Sequence, residues 1–110
     1  MAYKIDREEL KQKMDNGESF ILVEVLAPKE YERLHIRGAE NIPLAQIGRE
    51  ATSRFNKNAS IVVYCSDSEC SASPKAAQKL DTLGFTNVFD YAEGKADWVE
   101  AGYPVEGREA

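Results

Sequence analysis

The sequence predicts an α/β fold, a parallel sheet with helices on both faces. Three observations carry this. Apolar runs suited to buried strands recur at Phe20-Ile21-Leu22-Val23-Glu24-Val25, Ile61-Val62-Val63-Tyr64 and Asn87-Val88-Phe89-Asp90-Tyr91. Segments of helical periodicity separate them, and strands that alternate with helices pair in parallel through right-handed crossovers. The 110 residues suffice for one core and contain no internal repeat, low-complexity tract or Pro/Gly linker, so a single domain over residues 1–110 is expected.

Each element has a local reason. Asp6 with Glu9 three residues later is a capping-box variant; Leu10 and Met14 give that helix its apolar stripe, and Asn16-Gly17 ends it. The run from Phe20 to Val25 is nearly continuous, as in a strand buried on both faces. Pro28 opens a short helix over Lys29 to Leu34, which Gly38 breaks. Leu44, Ile47, Ala51 and Phe55 share one face of a further helical segment, interrupted weakly at Gly48. Ile61 to Tyr64 runs straight into Cys65 and a polar stretch, Ser66 to Ala72. Ser73 is then expected to cap a helix with Pro74 at its first position, with Ala76, Ala77, Leu80 and Leu83 facing inward and Gly84 ending it. After the strand at Asn87–Tyr91, Ala96, Val99 and Trp98 belong to a last short helix that ends at Gly102.

Composition excludes several classes. An apolar fraction of 43% and a charged fraction of 30% are those of a globular chain, not a disordered or fibrous one. No apolar run approaches the ~18 residues of a membrane span, so no membrane partner is expected. The N-terminal residues turn charged too early for a signal-peptide core, which leads us to expect a cytoplasmic protein. Nineteen acidic against fourteen basic residues give a net charge of −5 with scattered Lys and Arg, so nucleic acid is not an expected partner. Two cysteines with the distant His35 fall short of a structural zinc site, and neither metal nor cofactor is expected. In a reducing compartment, a close cysteine pair is either packing or chemistry on sulfur.

Position favours the chemistry. Ligands of parallel sheets bind beyond the carboxyl ends of the strands, where Cys65 lies. The following loop and helix N-terminus favour an anion on its sulfur, thiolate or persulfide. Cys70 sits in the loop, where it is either a spectator or a resolving thiol that attacks a Cys65 persulfide. Four intervening residues bring the two sulfurs together only if the loop curls. Ser66, Ser68, Ser71 and Ser73 are candidate hydroxyl donors, although loop and cap chemistry also accounts for them. His35 reads as a hydrogen-bonded scaffold residue, Tyr64 and Tyr91 as strand packing, Trp98 as core, and the charges from Asp6 to Lys13 as a solvated helix face.

The chain resembles the rhodanese-like domain family nearly end to end. His35-Ile36-Arg37-Gly38-Ala39 with Asn41-Ile42-Pro43 is similar to the family's N-terminal signature, and Ile61-Val62-Val63-Tyr64-Cys65 to its active-site strand and nucleophile. Gly84-Phe85-Thr86-Asn87-Val88, then Gly94, Trp98, Gly102 and Pro104, complete the pattern. The resemblance implies a central five-stranded parallel sheet and a sulfurtransferase or sulfur carrier in which Cys65 holds sulfane sulfur as a persulfide. Its partners would be a sulfane-sulfur donor, small molecule or protein persulfide, and a thiol acceptor. Ser66, Asp67, Ser68, Glu69, Ser71, Ala72 and Ser73 form the expected substrate-binding loop.

Three departures shape the expectation. Glu24-Val25-Leu26 replaces the family's usual Asp-Val-Arg, so an Arg that braces that region is absent. The loop is about two residues longer than usual. It carries no Lys or Arg to hold thiosulfate, and Asp67 and Glu69 add negative charge. A phosphatase of similar fold would need an Arg for the phosphate, so that reading falls. One carboxylate ~7 Å from the sulfur opposes its thiolate by roughly 0.6–2.4 kcal/mol, against about 0.3–2 kcal/mol from the helix N-terminus. Weak thiosulfate activity is therefore expected. The alternatives are a non-catalytic interaction module of the same fold and a dithiol redox switch using Cys65 and Cys70.

Overall fold

The computed structural model describes residues 2–110. Its elements in chain order are β1 (Tyr3–Lys4), α1 (Arg7–Asp15), β2 (Ile21–Glu24), α2 (Pro28–Arg33), β3 (His35–Ile36), β4 (Glu40–Asn41), a 3-10 turn (Leu44–Gln46), α3 (Ile47–Arg54), β5 (Ile61–Tyr64), α4 (Ala72–Thr82), β6 (Val88–Tyr91), α5 (Gly94–Glu100) and β7 (Val105–Glu106). Five strands form one parallel sheet in the order β1-β6-β5-β2-β4, and β3 pairs antiparallel with β7. The α/β expectation holds, with β5 at the centre of the sheet. The two-residue strands β1, β3, β4 and β7 have too little periodicity to be read from sequence.

Side chains alternate along each strand, so the sheet has two distinct cores. Val23, Val25, Ile61, Val63 and Cys65 face Ile47 and Ala51 of α3 and Ala76, Ala77 and Leu80 of α4. Leu22, Val62, Tyr64 and Tyr91 face Leu10 of α1 and Trp98 of α5. The Asp6 capping box forms as expected, with the Asp6 carboxylate accepting the Glu9 N–H at 2.8 Å and the Glu9 carboxylate accepting the Asp6 N–H at 3.0 Å. Pro28 stands at the start of α2, where its missing N–H is an orphan anyway. Among the described residues no helix is long and apolar enough to cross a membrane.

Three local expectations are corrected. α4 begins at Ala72, so Ser73 lies inside its first turn, buried, and is not its cap; Ser71 holds the cap position without a side-chain cap bond. Pro74 is tolerated at the third helical residue because the first four N–H groups of a helix have no intrahelical partner. α2 stops at Arg33, and Gly38 (φ 86°) turns the chain only after β3. Gly48 does not interrupt its helix: a Cβ there would lie 2.9 Å from Lys79 Cε and 3.3 Å from Leu83 Cδ1, so the glycine lets α3 approach α4. In α5, Trp98 is buried as expected and Lys95 is buried beside it, while Ala96 and Val99 face outward. Periodicity counts a lysine as solvent-facing, and here a buried carboxylate reverses that assignment.

Candidate active site

Cys65 follows the last residue of β5 and is fully buried, on the face shared with Ile61 and Val63. Ala72, at the start of α4, packs against the same cluster, so the positive end of that helix adjoins the sulfur's surroundings. The loop between them curls. The Asp67 carbonyl accepts the Cys70 N–H at 3.1 Å, and the Asp67 carboxylate accepts the Glu69 N–H at 3.0 Å. That Asx turn brings Cys70 back until its Cα is 6.4 Å from that of Cys65, and the two sulfurs are joined as a disulfide. The curl needed to bring the thiols together is therefore present.

Of the expected loop residues, Asp67, Ser68, Glu69 and Ser71 are exposed around this turn, and Ser66 and Cys70 are half-buried. Ala72 and Ser73 belong to α4, not to the loop. The Ser73 hydroxyl is buried without a hydrogen-bond partner, as is Oδ1 of Asp90. Asp67 engages its own turn, and among the described residues neither it nor Glu69 meets a basic side chain. His35 stacks on Tyr31 at 3.7 Å, bonds the Tyr31 carbonyl through Nδ1 at 2.7 Å and lies 3.7 Å from Glu106, so its contacts are those of a scaffold residue.

The loop is held from the other side by α5. The Lys95 N–H donates to the Cys65 carbonyl at 2.9 Å and the Ala96 N–H to the Ser66 carbonyl at 2.8 Å. Gly94 (φ 75°) permits this approach, because a Cβ there would lie 2.8 Å from both the Cys65 oxygen and the Asp67 nitrogen.

The same lysine turns its side chain into the protein. Its Nζ lies 3.0 Å from Glu24 Oε1 and 3.1 Å from Oε2, and it donates to the carbonyls of Glu30 at 3.1 Å and of Leu34. Tyr64 donates to Glu24 Oε1 at 2.9 Å and accepts the Ile36 N–H at 3.1 Å. Burial pushes the Glu24 carboxyl up, while Lys95 and then Tyr64 oppose the shift. Burial and the Glu24 charge raise the Tyr64 phenol, which stays a donor. Leu26 stands where the resemblance expects an Arg, and the cation bracing this region comes instead from Lys95. Sequence reasoning missed the pair. The available signal was Glu24 itself, a charge inside an apolar strand, which demands a buried partner.

The rhodanese-like domain profile matches residues 6–101. A putative sulfur carrier protein of Bacillus subtilis is 34% identical over 95 residues, covering 86% of this chain and 50% of that protein. A thiosulfate sulfurtransferase of Escherichia coli is 36% identical over 67 residues, covering 60% of this chain and 62% of that protein. The chain thus spans about half the length of curated relatives that it matches. A solved structure from Bacillus halodurans superposes with a TM-score of 0.90 at 32% identity, covering 98% of this chain and 79% of that one. The rhodanese-like domain of an Anabaena protein superposes at 0.89 with 30% identity, covering 99% and 82%.

Proposed function

The chain belongs to the rhodanese-like domain family, and from that premise we propose that it moves sulfane sulfur through Cys65. The observation that carries this reading is the position of Cys65 at the carboxyl end of the central strand, where the loop and α4 begin. In the reduced protein, the Cys65 thiolate attacks the sulfane sulfur of a donor. A new S–S bond forms on Cys65, the donor's own bond to that sulfur breaks, and the donor leaves with the electron pair. An acceptor thiolate then attacks the outer sulfur and returns Cys65 as a thiolate. The acidic, cation-free loop favours protein or low-molecular-weight persulfides over thiosulfate as donors. Glu69→Lys should accordingly raise thiosulfate turnover, mainly by lowering KM.

Intact mass tests the assignment. The reduced protein treated with a persulfide donor should gain about 32 Da for one sulfur, and Cys65→Ser should gain nothing while keeping its fold. Full loading of that variant would refute the role of Cys65.

The Cys65–Cys70 bond supports a second step at the same site. The Cys70 thiolate attacks the inner sulfur of the Cys65 persulfide; the Cys65–Cys70 bond forms, the persulfide bond breaks, and hydrosulfide leaves. The disulfide then needs an external thiol to reduce it. Cys70→Ser should lengthen the life of the persulfide and release less sulfide, with the wild-type decay quickening as pH rises. Equal lifetimes at two pH values would leave Cys70 a spectator.

A further inference from the structure

We propose that the groove between α2 and α5 docks a basic, apolar-anchored segment of a partner protein against the start of the loop that follows Cys65. The inference rests on sulfur transfer only for what the docked thiol does, not for the docking itself. The groove has a volume of about 440 Å³ and runs from Leu34 to Ser66 and Asp67, the two residues after Cys65. Ala96 and Val99 continue its apolar surface. Val99 is 44% exposed on a short helix whose neighbouring residue, Trp98, is fully buried. Among the described residues the other exposed large apolar side chain is Tyr3, and it has a ring partner in Phe89. An apolar side chain exposed inside a concavity, unlike one on a convex surface, marks a place for a complementary side chain.

Charge selects the occupant. Asp67 and Glu100 line the groove without an ion pair among the described residues. The two cations that line it are already committed: Arg33 bonds both Glu30 and Glu109, and Lys95 is buried against Glu24. The walls thus offer negative potential and no free positive charge. A Lys- or Arg-flanked aliphatic residue fits this surface, and a small dianion does not. The volume holds one or two side chains of a polypeptide. Docking there sets the segment against the backbone of the Cys65 loop, because the α5 N–H groups of Lys95 and Ala96 hold the carbonyls of Cys65 and Ser66, while the Cys65 side chain faces α3 and α4. Groove wall and nucleophile share one frame.

The test uses two labelled peptides, each with a leucine next to a serine, one flanked by lysines and one by glutamates. The lysine peptide should bind at least roughly tenfold tighter, and the preference should shrink towards unity at about 1 M salt, where charges are screened within ~3 Å. Val99→Ser, at an exposed position, should weaken both peptides several-fold, whereas Glu100→Lys should narrow the preference between them. Equal affinity for the two peptides, or binding that neither substitution alters, would overturn the proposal. Repeating the series with cysteine in place of serine separates the two readings. A protein that binds the lysine peptide but never takes up sulfur would keep the groove and refute the transfer, whereas a sulfur-loaded protein without charge preference would do the reverse.

Discussion

The sheet face under α3 and α4 is aliphatic apart from Phe55 and Phe85, whereas the face under α1, α2 and α5 holds Tyr64, Tyr91, Trp98 and the Glu24–Lys95 pair. The two faces solve burial differently. On the first, Val, Ile, Leu and Ala exclude water without direction, so any close-packed arrangement of similar volume serves. On the second, large rings carry polar tips that must each find a partner. Trp98 donates to the Pro104 carbonyl at 2.8 Å, Tyr91 to Asp97 at 2.7 Å, and Tyr64 to Glu24 at 2.9 Å. Those partners tie β2, β5, α2 and α5 into one register, and α5 in turn holds the Cys65 loop. The aliphatic face supplies bulk burial, and the polar face supplies the position of the candidate site.

The comparison breaks most clearly at Lys95. Lys95→Met leaves the Glu24 carboxylate buried without its cation, a change that costs about 3–5 kcal/mol where a buried pair is broken from one side. The double variant Glu24→Leu, Lys95→Met removes both charges and should recover most of that loss. Urea unfolding midpoints on the two singles and the double give the coupling. If Lys95→Met costs no more than the same change at the exposed Lys79, the pair does not organise this face.

Smaller substitutions sharpen the contrast. Tyr64→Phe orphans the buried Ile36 N–H and removes a donor from Glu24, for an expected loss of about 1–3 kcal/mol. Ile47→Val, on the aliphatic face, removes one methylene at a 1% exposed position and should cost about 0.5–1.5 kcal/mol. The difference lies less in size than in consequence. Tyr64→Phe should also loosen the loop, read as faster amide exchange at Ser66 and Asp67, while Ile47→Val should leave that exchange unchanged. Equal loop exchange in the two variants would mean that both faces support the site alike.

Legibility in the sequence follows the same division. The aliphatic face could be read because its signal is periodicity: Ile47 and Ala51, or Ala76, Ala77 and Leu80, announce which side faces inward. Cys65 was legible for a related reason, since a strand end is a place in the chain. Lys95 was not. Whether a lysine is buried depends on a carboxylate 71 residues away, and no local pattern carries that distance. The resemblance pointed to an absent Arg after Val25, and only the folded chain shows a cation arriving from the other end of the sequence.

Asp90, near the equally unpartnered Ser73 hydroxyl, gives the aliphatic face a polar problem of its own, and it gives the smallest effect. Its side chain lies on the Val88 and Val63 side of the sheet, 6% exposed, with Oδ1 unpartnered. Burial raises its carboxyl above the usual Asp value; the nearby Ser73 hydroxyl, short of hydrogen-bonding geometry, and the Lys4 ammonium act in the opposite direction. A carboxyl whose folded pKa is raised favours folding while it is protonated in both states. That contribution is lost as pH rises from the unfolded value through the folded one. Asp90→Asn abolishes the titration, so the variant should gain on wild type across that window and then hold a constant advantage. Near neutral pH the gain should be a few tenths to about 1 kcal/mol, the scale of one imperfectly satisfied buried group. Midpoints measured from pH 4 to pH 7.5 on both proteins check this. A difference that is flat with pH would place the Asp90 carboxylate in contact with water and leave the aliphatic face without a polar flaw.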